Sequence, residues 1–190
     1  MTGQPKQSGR WVEHDRGETR VQYEVEQKFP VADLAAFQAK LAALGATVAE
    51  SESEIDHYYA HPARDFAVSD EALRIRRTDR SSFLTYKGPK VDTTTKTRRE
   101  IELGLWSQEA KVLALESLLE ALGFTPVGEV CKYRRKATIF WQGRQIEAAM
   151  DEVVDGGTFV ELELVEEREG LDHRHPRDLV NGLVADQQTQ

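Results

Sequence analysis

Six stretches of this sequence alternate apolar residues with fully charged ones, and that period-two pattern leaves few folds open. Residues i, i+2 and i+4 of a strand share one face. On that rule Glu24, Glu26 and Lys28 lie together, as do Arg74 with Arg76, and Arg98 with Glu100 and Glu102. Lys132, Arg134 and Lys136 form a fourth set, Glu147 and Asp151 a fifth, and Glu161 and Glu163 a sixth. The opposite faces carry Leu73 and Ile75, Ile101 and Leu103, or Val160, Leu162 and Leu164. A half-exposed sheet also alternates, with polar residues turned to water, so a solvated charged sheet is the plainer reading of any one strand. Six strands carrying mostly full charges, of both signs, are harder to read that way.

Two segments have helical periodicity instead. Val31, Leu34, Phe37, Leu41 and Leu44 recur at helical spacing before Gly45, and Val112, Leu115, Leu119 and Leu122 do so before Gly123, with Ser107 as N-cap. Their apolar stripes must cover the apolar faces of the sheet, which turns the charged faces toward one another. About eight strands closed into a barrel leave an interior wide enough for side chains and one small ligand. The expected class is therefore α+β: a closed antiparallel β-barrel or tunnel of about eight strands with amphipathic helices packed outside.

Strands are expected from Arg20 to Pro30 and over Thr47–His61, Ala72–Thr78, Ser82–Lys87, Lys96–Leu105, Val127–Phe140, Arg144–Asp151 and Thr158–Val165. Residues 1–19 read as a flexible arm and 20–190 as a single domain. Pro176 is placed to open a short helix through Leu179 and Val184. Each half starts with a Glu-x-Glu strand (Glu24/Glu26, then Glu100/Glu102) that runs into a helix ending at glycine, which suggests an internal duplication.

No apolar run approaches the roughly 20 residues of a membrane span, and the N-terminus has no signal-peptide core, so the expected compartment is the cytoplasm. The net charge of −8 argues against a general nucleic-acid binder. Cys131 is the only cysteine, which excludes an intrachain disulfide and reads as a small filler. His57 reads as a satisfied strand histidine, and the pair His173 and His175 lacks the further ligands a metal site needs.

Charges enclosed in a barrel must neutralise one another or bind ions. Carboxylate clusters suit hard cations such as Mg²⁺ or Mn²⁺, and Arg and Lys clusters suit phosphate oxygens. A polyphosphate carrying its metal ions needs both.

Glu24-Val25-Glu26-Gln27-Lys28 resembles the E-x-E-x-K signature of the CYTH superfamily, which groups class IV adenylate cyclases with thiamine and inorganic triphosphatases. Ala72-Leu73-Arg74-Ile75-Arg76, Thr85-Tyr86-Lys87-Gly88-Pro89-Lys90 and Lys96 to Glu102 follow in the family's order. Lys132-Tyr133-Arg134-Arg135, Met150-Asp151-Glu152-Val153 and Phe159 to Glu163 complete it, so the resemblance spans residues 21 to about 165. The stretch from His61 to Arg74 is most similar to the branch labelled class IV adenylate cyclase.

The resemblance implies a tunnel with an acidic metal side and a basic triphosphate side. It places Glu24, Glu26, Glu161 and Glu163 at the metal, with Asp151 near them. It places Lys28, Arg74, Arg76, Lys87, Lys132 and Arg134 on the phosphates, joined by Arg98, with Lys28, Lys87 and Arg134 in the catalytic role. The implied partners are Mg²⁺ or Mn²⁺ and a small triphosphate: ATP, inorganic triphosphate or thiamine triphosphate. The family also allows a homodimer. ATP cyclisation, triphosphate hydrolysis and non-catalytic phosphate binding all remain open. The Glu100/Glu102 and Glu161/Glu163 pairs are more typical of the triphosphatase relatives. Tyr58, Tyr59, Phe83 and Tyr133 are candidates to stack on a base, with packing the plainer role for each.

Overall fold

A computed structural model describes residues 19–90, 96–105, 109–141 and 144–166. The arm before Thr19, Ser107, the histidines at 173 and 175 and the helix expected near Pro176 lie outside the described residues. The chain runs β1 (Thr19–Pro30), α1 (Leu34–Ala43), β2 (Glu52–Ala60), α2 (Phe66–Ser69), β3 (Ala72–Thr78) and β4 (Ser82–Lys87). It continues β5 (Lys96–Gly104), α3 (Glu109–Ala121), β6 (Thr125–Trp141), β7 (Arg144–Val153) and β8 (Gly157–Glu166).

The eight strands are antiparallel and pair in the order β1-β5-β4-β3-β2-β6-β7-β8, with β8 returning to β1 to complete a closed barrel. Exchanging β1 with β5, β2 with β6, β3 with β7 and β4 with β8 maps this ring onto itself. The helices obey the same exchange. Helix α1, from the first half, packs Phe37 and Leu41 onto Ile139, Ile146, Met150, Val160 and Leu162 of the second half's strands. Helix α3, from the second half, packs Val112 and Leu119 onto Tyr59, Leu73 and Ile75 of the first half's strands. Each helix thus covers the strands it does not precede. With apolar faces buried under helices, the opposite faces have only the barrel interior to occupy.

Local chemistry explains where the helices begin and end. Asp33 caps α1 by accepting from the Ala36 amide at 2.9 Å, and Gly45 ends it at φ 83°. Gly123 stands at φ 89° after α3, and a Cβ there would come within 3.2 Å of Pro62. Glycine is needed at this point for both reasons.

Two expectations are corrected. Thr47–Ser51 is not part of β2: it makes only one isolated bridge, Val48 to Ala137, before the strand begins at Glu52. The short α2 was not foreseen, since four residues are too few to show a period. It is built by Asp65, whose carboxylate accepts from the amides of Ala67 (3.0 Å) and Val68 (3.2 Å).

Candidate active site

The barrel encloses a cavity of about 710 Å³ lined by side chains from all eight strands. Of the residues expected at the site, Glu26, Lys28, Arg74, Arg76, Lys87, Arg98, Lys132, Arg134, Glu161 and Glu163 line it, with Glu100 and Glu102. Glu24 sits in β1 opposite Arg98 and Val165, and its side chain lies outside the described residues. Asp151 does not line the cavity; it lies behind the wall, fully buried.

The basic wall is held in shape by buried acids. Asp151 accepts from Arg134 Nε and Nη2 at 2.6 Å each, and from Lys132 Nζ at 3.1 Å. Asp56 accepts from Arg76 Nε and Nη2 at 2.7 Å each, and from Arg74 Nη1 at 3.2 Å. Each is a cross-strand pair in register, Asp56 with Arg76 and Arg134 with Asp151. In the first half the acid is on the earlier strand, and in the second half the base is. Glu54 closes the set, 3.1 Å from Arg76 and 3.2 Å from Lys132. Bidentate pairing fixes a guanidinium plane, so these bases present defined donors rather than mobile charges.

Burial raises the pKa of Asp56, but its bond to Arg76 and the charges of Arg74, Arg76 and Lys132 outweigh that and leave it below the ordinary value. Asp151 behaves alike: burial pushes it up, and the bond to Arg134 together with the charges of Arg134 and Lys132 more than reverses this. Both acids are ionised counter-charges at neutral pH. Burial, then the neighbouring Arg134 and Arg76, depress the Lys132 ammonium. That wall holds more cation than its acids offset. Arg74, which lines the cavity, also keeps a buried Nε with no hydrogen-bond acceptor among the described residues. An anion in the cavity would answer that excess of positive charge.

The acidic side shows the mirror-image imbalance. The Glu163 carboxyl is pushed up to about 7 by burial and by Glu100, Glu147 and Glu26, against the opposing pull of Lys87. Glu161 takes the other course. Burial raises it, but Arg134, Lys132 and Lys28 hold it well below the usual range. It bridges the two sides, accepting from Lys28 Nζ at 2.8 Å and from Arg134. Lys87 lies among acids, 2.9 Å from Glu100 and 3.6 Å from Glu26, rather than on the wall with the arginines.

Asp56 and Glu54 escaped sequence reading. The signal was present, because Glu54, Asp56 and Tyr58 stand at i, i+2 and i+4 of β2. Of the aromatic candidates, Tyr58 lines the cavity, Tyr59 belongs to the core under α3 and Tyr133 is exposed. Phe159 lines the cavity with Lys28 Nζ 4.8 Å above its ring. His57 pairs with Glu129 at 2.9 Å on the outer face of β2, as a strand histidine would. Half-buried Cys131 donates to the same Glu129 at 3.3 Å, so it is not a mere filler.

Residues 22–181 match the CYTH domain family. This chain belongs to that family. It is 37% identical over 140 residues to "Putative adenylate cyclase MJ0240" of Methanocaldococcus jannaschii, covering 74% of this chain and 75% of that one. The PH1819 protein of Pyrococcus horikoshii has a similar structure, with a TM-score of 0.70 and 34% identity over 86% of this chain and 89% of that one. A Hippeastrum protein shares the fold at 20% identity and a TM-score of 0.60, over 87% of each chain; its structure is described as that of a putative adenylyl cyclase with a dominant triphosphatase activity.

Among the described residues of this CYTH chain no three acidic side chains already converge on one point, as a preformed chelate would. The all-oxygen donors of Glu26, Glu161 and Glu163 suit a hard cation, and the excess negative charge felt by Glu163 is what such an ion would relieve. No helix among the described residues is long and apolar enough to cross a membrane.

Proposed function

We propose that the cavity binds a triphosphate together with a divalent cation, Mg²⁺ or Mn²⁺, and that the chain is an enzyme converting ATP to cyclic AMP and pyrophosphate. The observation that carries this reading is the segregation of charge inside one closed space. Among the described residues eight cations line the cavity against seven acids, with Glu54 and Asp151 immediately behind. A wall so nearly neutral has no net charge to spare for a tetra-anion, although each side is locally out of balance. A phosphate chain carrying its own metal ions answers both imbalances at once.

In this reading Arg74, Arg76, Lys132 and Arg134 orient the phosphate chain, with Arg98 on β5. They neutralise the charge that moves onto the leaving group, where phosphoryl-transfer catalysis is concentrated. Lys28 and Lys87 join Arg134 at the reacting phosphate. Glu26, Glu161 and Glu163, with Glu24, would hold the cation, which supplies charge neutralisation and a lowered pKa for the attacking oxygen. Asp151, expected near the metal, serves instead to hold Arg134 and Lys132. The ribose 3′-oxygen attacks the α-phosphorus and pyrophosphate leaves. Descent of the two halves from one duplicated unit accounts for the ring symmetry, and 20–190 acts as one cytoplasmic domain.

A second reading is favoured by the Glu100/Glu102 pair and by Glu163, all of which line the cavity. With water as nucleophile the same walls give a triphosphatase. The deciding experiment offers ATP, inorganic triphosphate and thiamine triphosphate in parallel, with Mg²⁺ or Mn²⁺. Cyclic AMP from ATP alone supports cyclisation, and phosphate release without cyclic AMP makes the chain a hydrolase. Tight binding with no turnover would leave a phosphate-binding module.

Cation binding has its own signature. Glu163 must lose its proton to ligate, so affinity should climb as pH rises through about 7. The thermal shift produced by Mn²⁺ is expected to be larger at about pH 8 than at about pH 6. In Glu163→Gln the pH dependence should vanish. An equal shift at both pH values in the unaltered protein would remove Glu163 from the metal set.

A further inference from the structure

We propose that Glu71, outside the cavity, is a positioning residue for the triphosphate site, acting through the Asp70 carbonyl on Arg98. This rests on the reading above that the cavity takes a triphosphate. Glu71 lies just before β3, and its side chain is 5% exposed. Its carboxylate accepts from Ser69 Oγ at 2.6 Å, from Arg64 Nη1 at 2.7 Å and from the Tyr86 hydroxyl. These donors come from the end of α2, from the loop before it and from β4. One carboxylate therefore ties the whole 61–71 crossing to the barrel wall. The Ser69 and Tyr86 hydroxyls hold its pKa below the ordinary value, so the tie is anionic at neutral pH.

The crossing is pre-shaped as well as tied. His61 Nδ1 accepts from the Ala63 and Arg64 amides at 3.0 and 3.1 Å, which sets where Arg64 starts. Asp70, next to Glu71, caps α2 at φ 57° and ψ 32°, a left-handed conformation that Asp tolerates better than most residues with a Cβ. In that conformation its main-chain oxygen accepts from Arg98 Nη1 at 3.2 Å, and its carboxylate meets Lys90 Nζ at 2.5 Å. Arg98 is 7% exposed and lines the cavity from β5. The chain of contacts runs from three donors through Glu71 and the neighbouring backbone to one cavity guanidinium. Glu71 touches no ligand in this arrangement. Its charge is spent on its own donors, so it acts by fixing the angle at which Arg98 faces the phosphates.

The test is calorimetric titration of inorganic triphosphate into the full chain, Glu71→Gln, Arg98→Ala and the double variant. Arg98→Ala is expected to weaken binding by about tenfold or more, the loss of a charge-assisted contact. Glu71→Gln should weaken it by about three- to tenfold alone and add nothing in the Arg98→Ala background, the non-additivity of residues that act as a unit. A merely structural role would give the same loss in both backgrounds, and that result, or no loss in either, overturns the inference. If Glu71→Gln does not fold, Tyr86→Phe removes one of its donors and takes its place in the same cycle. Wild-type binding with Arg98→Ala unaffected would remove Arg98 from the site and the inference with it. Absence of triphosphate binding by the unaltered chain would instead sink the reading of the cavity itself.

Discussion

Lys28→Ala is expected to lower metal-dependent turnover by about two to three orders of magnitude, the usual cost of deleting one preorganised charge from a transition-state clamp. Lys28 is the cleanest position at which to test the active-site assignment. Its ammonium is 2.8 Å from Glu161 and 3.9 Å from Asp151, and its side chain keeps 29% of its exposure. Neither acid is left without a partner when it is removed. Glu161 keeps Arg134, and Asp151 keeps Arg134 and Lys132. The exposed ammonium contributes little to stability, so the melting temperature should stay within a few degrees. The fall should therefore appear in kcat on whichever triphosphate the parallel assay selects. Unchanged kcat with an unchanged melting temperature would take Lys28 out of the catalytic set. A fall in stability as large as the fall in rate would mean that Lys28 supports the barrel rather than the chemistry.

Much of this architecture was legible because β-strands alternate strictly. Ala72–Thr78 and Ser82–Lys87 coincide with β3 and β4, since each is bounded by turn chemistry and carries a clean period of two. The inward set followed from the same rule, and most of the charges picked out by alternation do line the cavity. What escaped has physical reasons. The long expected strand from Thr47 was too generous because apolar Val48 fits the alternation yet makes only a single bridge. Asp56 and Glu54 were passed over although they alternate, because β2 mixes them with His57, Tyr58 and Tyr59, and aromatics on both faces blur which face is inside. The role of Asp151 was the subtlest. Alternation gives the face of a side chain but not its depth, and depth separates a metal ligand from a counter-ion already taken by Arg134 and Lys132. Glu71 was beyond reach of any periodic rule, because its partners come together only when α2 folds against β4.

Asp151→Asn is expected to destabilise the chain by about 3–5 kcal/mol, the cost of leaving a buried charge without its partner. The carboxylate is fully buried and both its oxygens are engaged, so the amide would lose an acceptor and place an N–H against Arg134 or Lys132. Arg134 cannot escape by deprotonating, because a guanidinium keeps its charge at any accessible pH, whereas the Lys132 ammonium, already depressed by burial, can relieve only its own share. Urea unfolding would report the loss. Acid provides an independent check. A folded-state pKa below the ordinary 3.8 means that Asp151 stabilises the fold above that value and ceases to do so as pH falls through the lower, folded one. Wild-type stability should therefore drop in that acid range, and the drop should be smaller in the variant, which has already lost the charge. Added triphosphate should offset part of the deficit at neutral pH, because its oxygens offer Arg134 and Lys132 the negative charge that the amide withholds. An Asn variant as stable as wild type would mean that Arg134 and Lys132 find other counter-charge inside the barrel. Glu54 and Glu161 are the acids placed to supply it, at 3.2 Å from Lys132 and in contact with Arg134. In that case Glu54→Gln, and not Asp151→Asn, should prove the more damaging change.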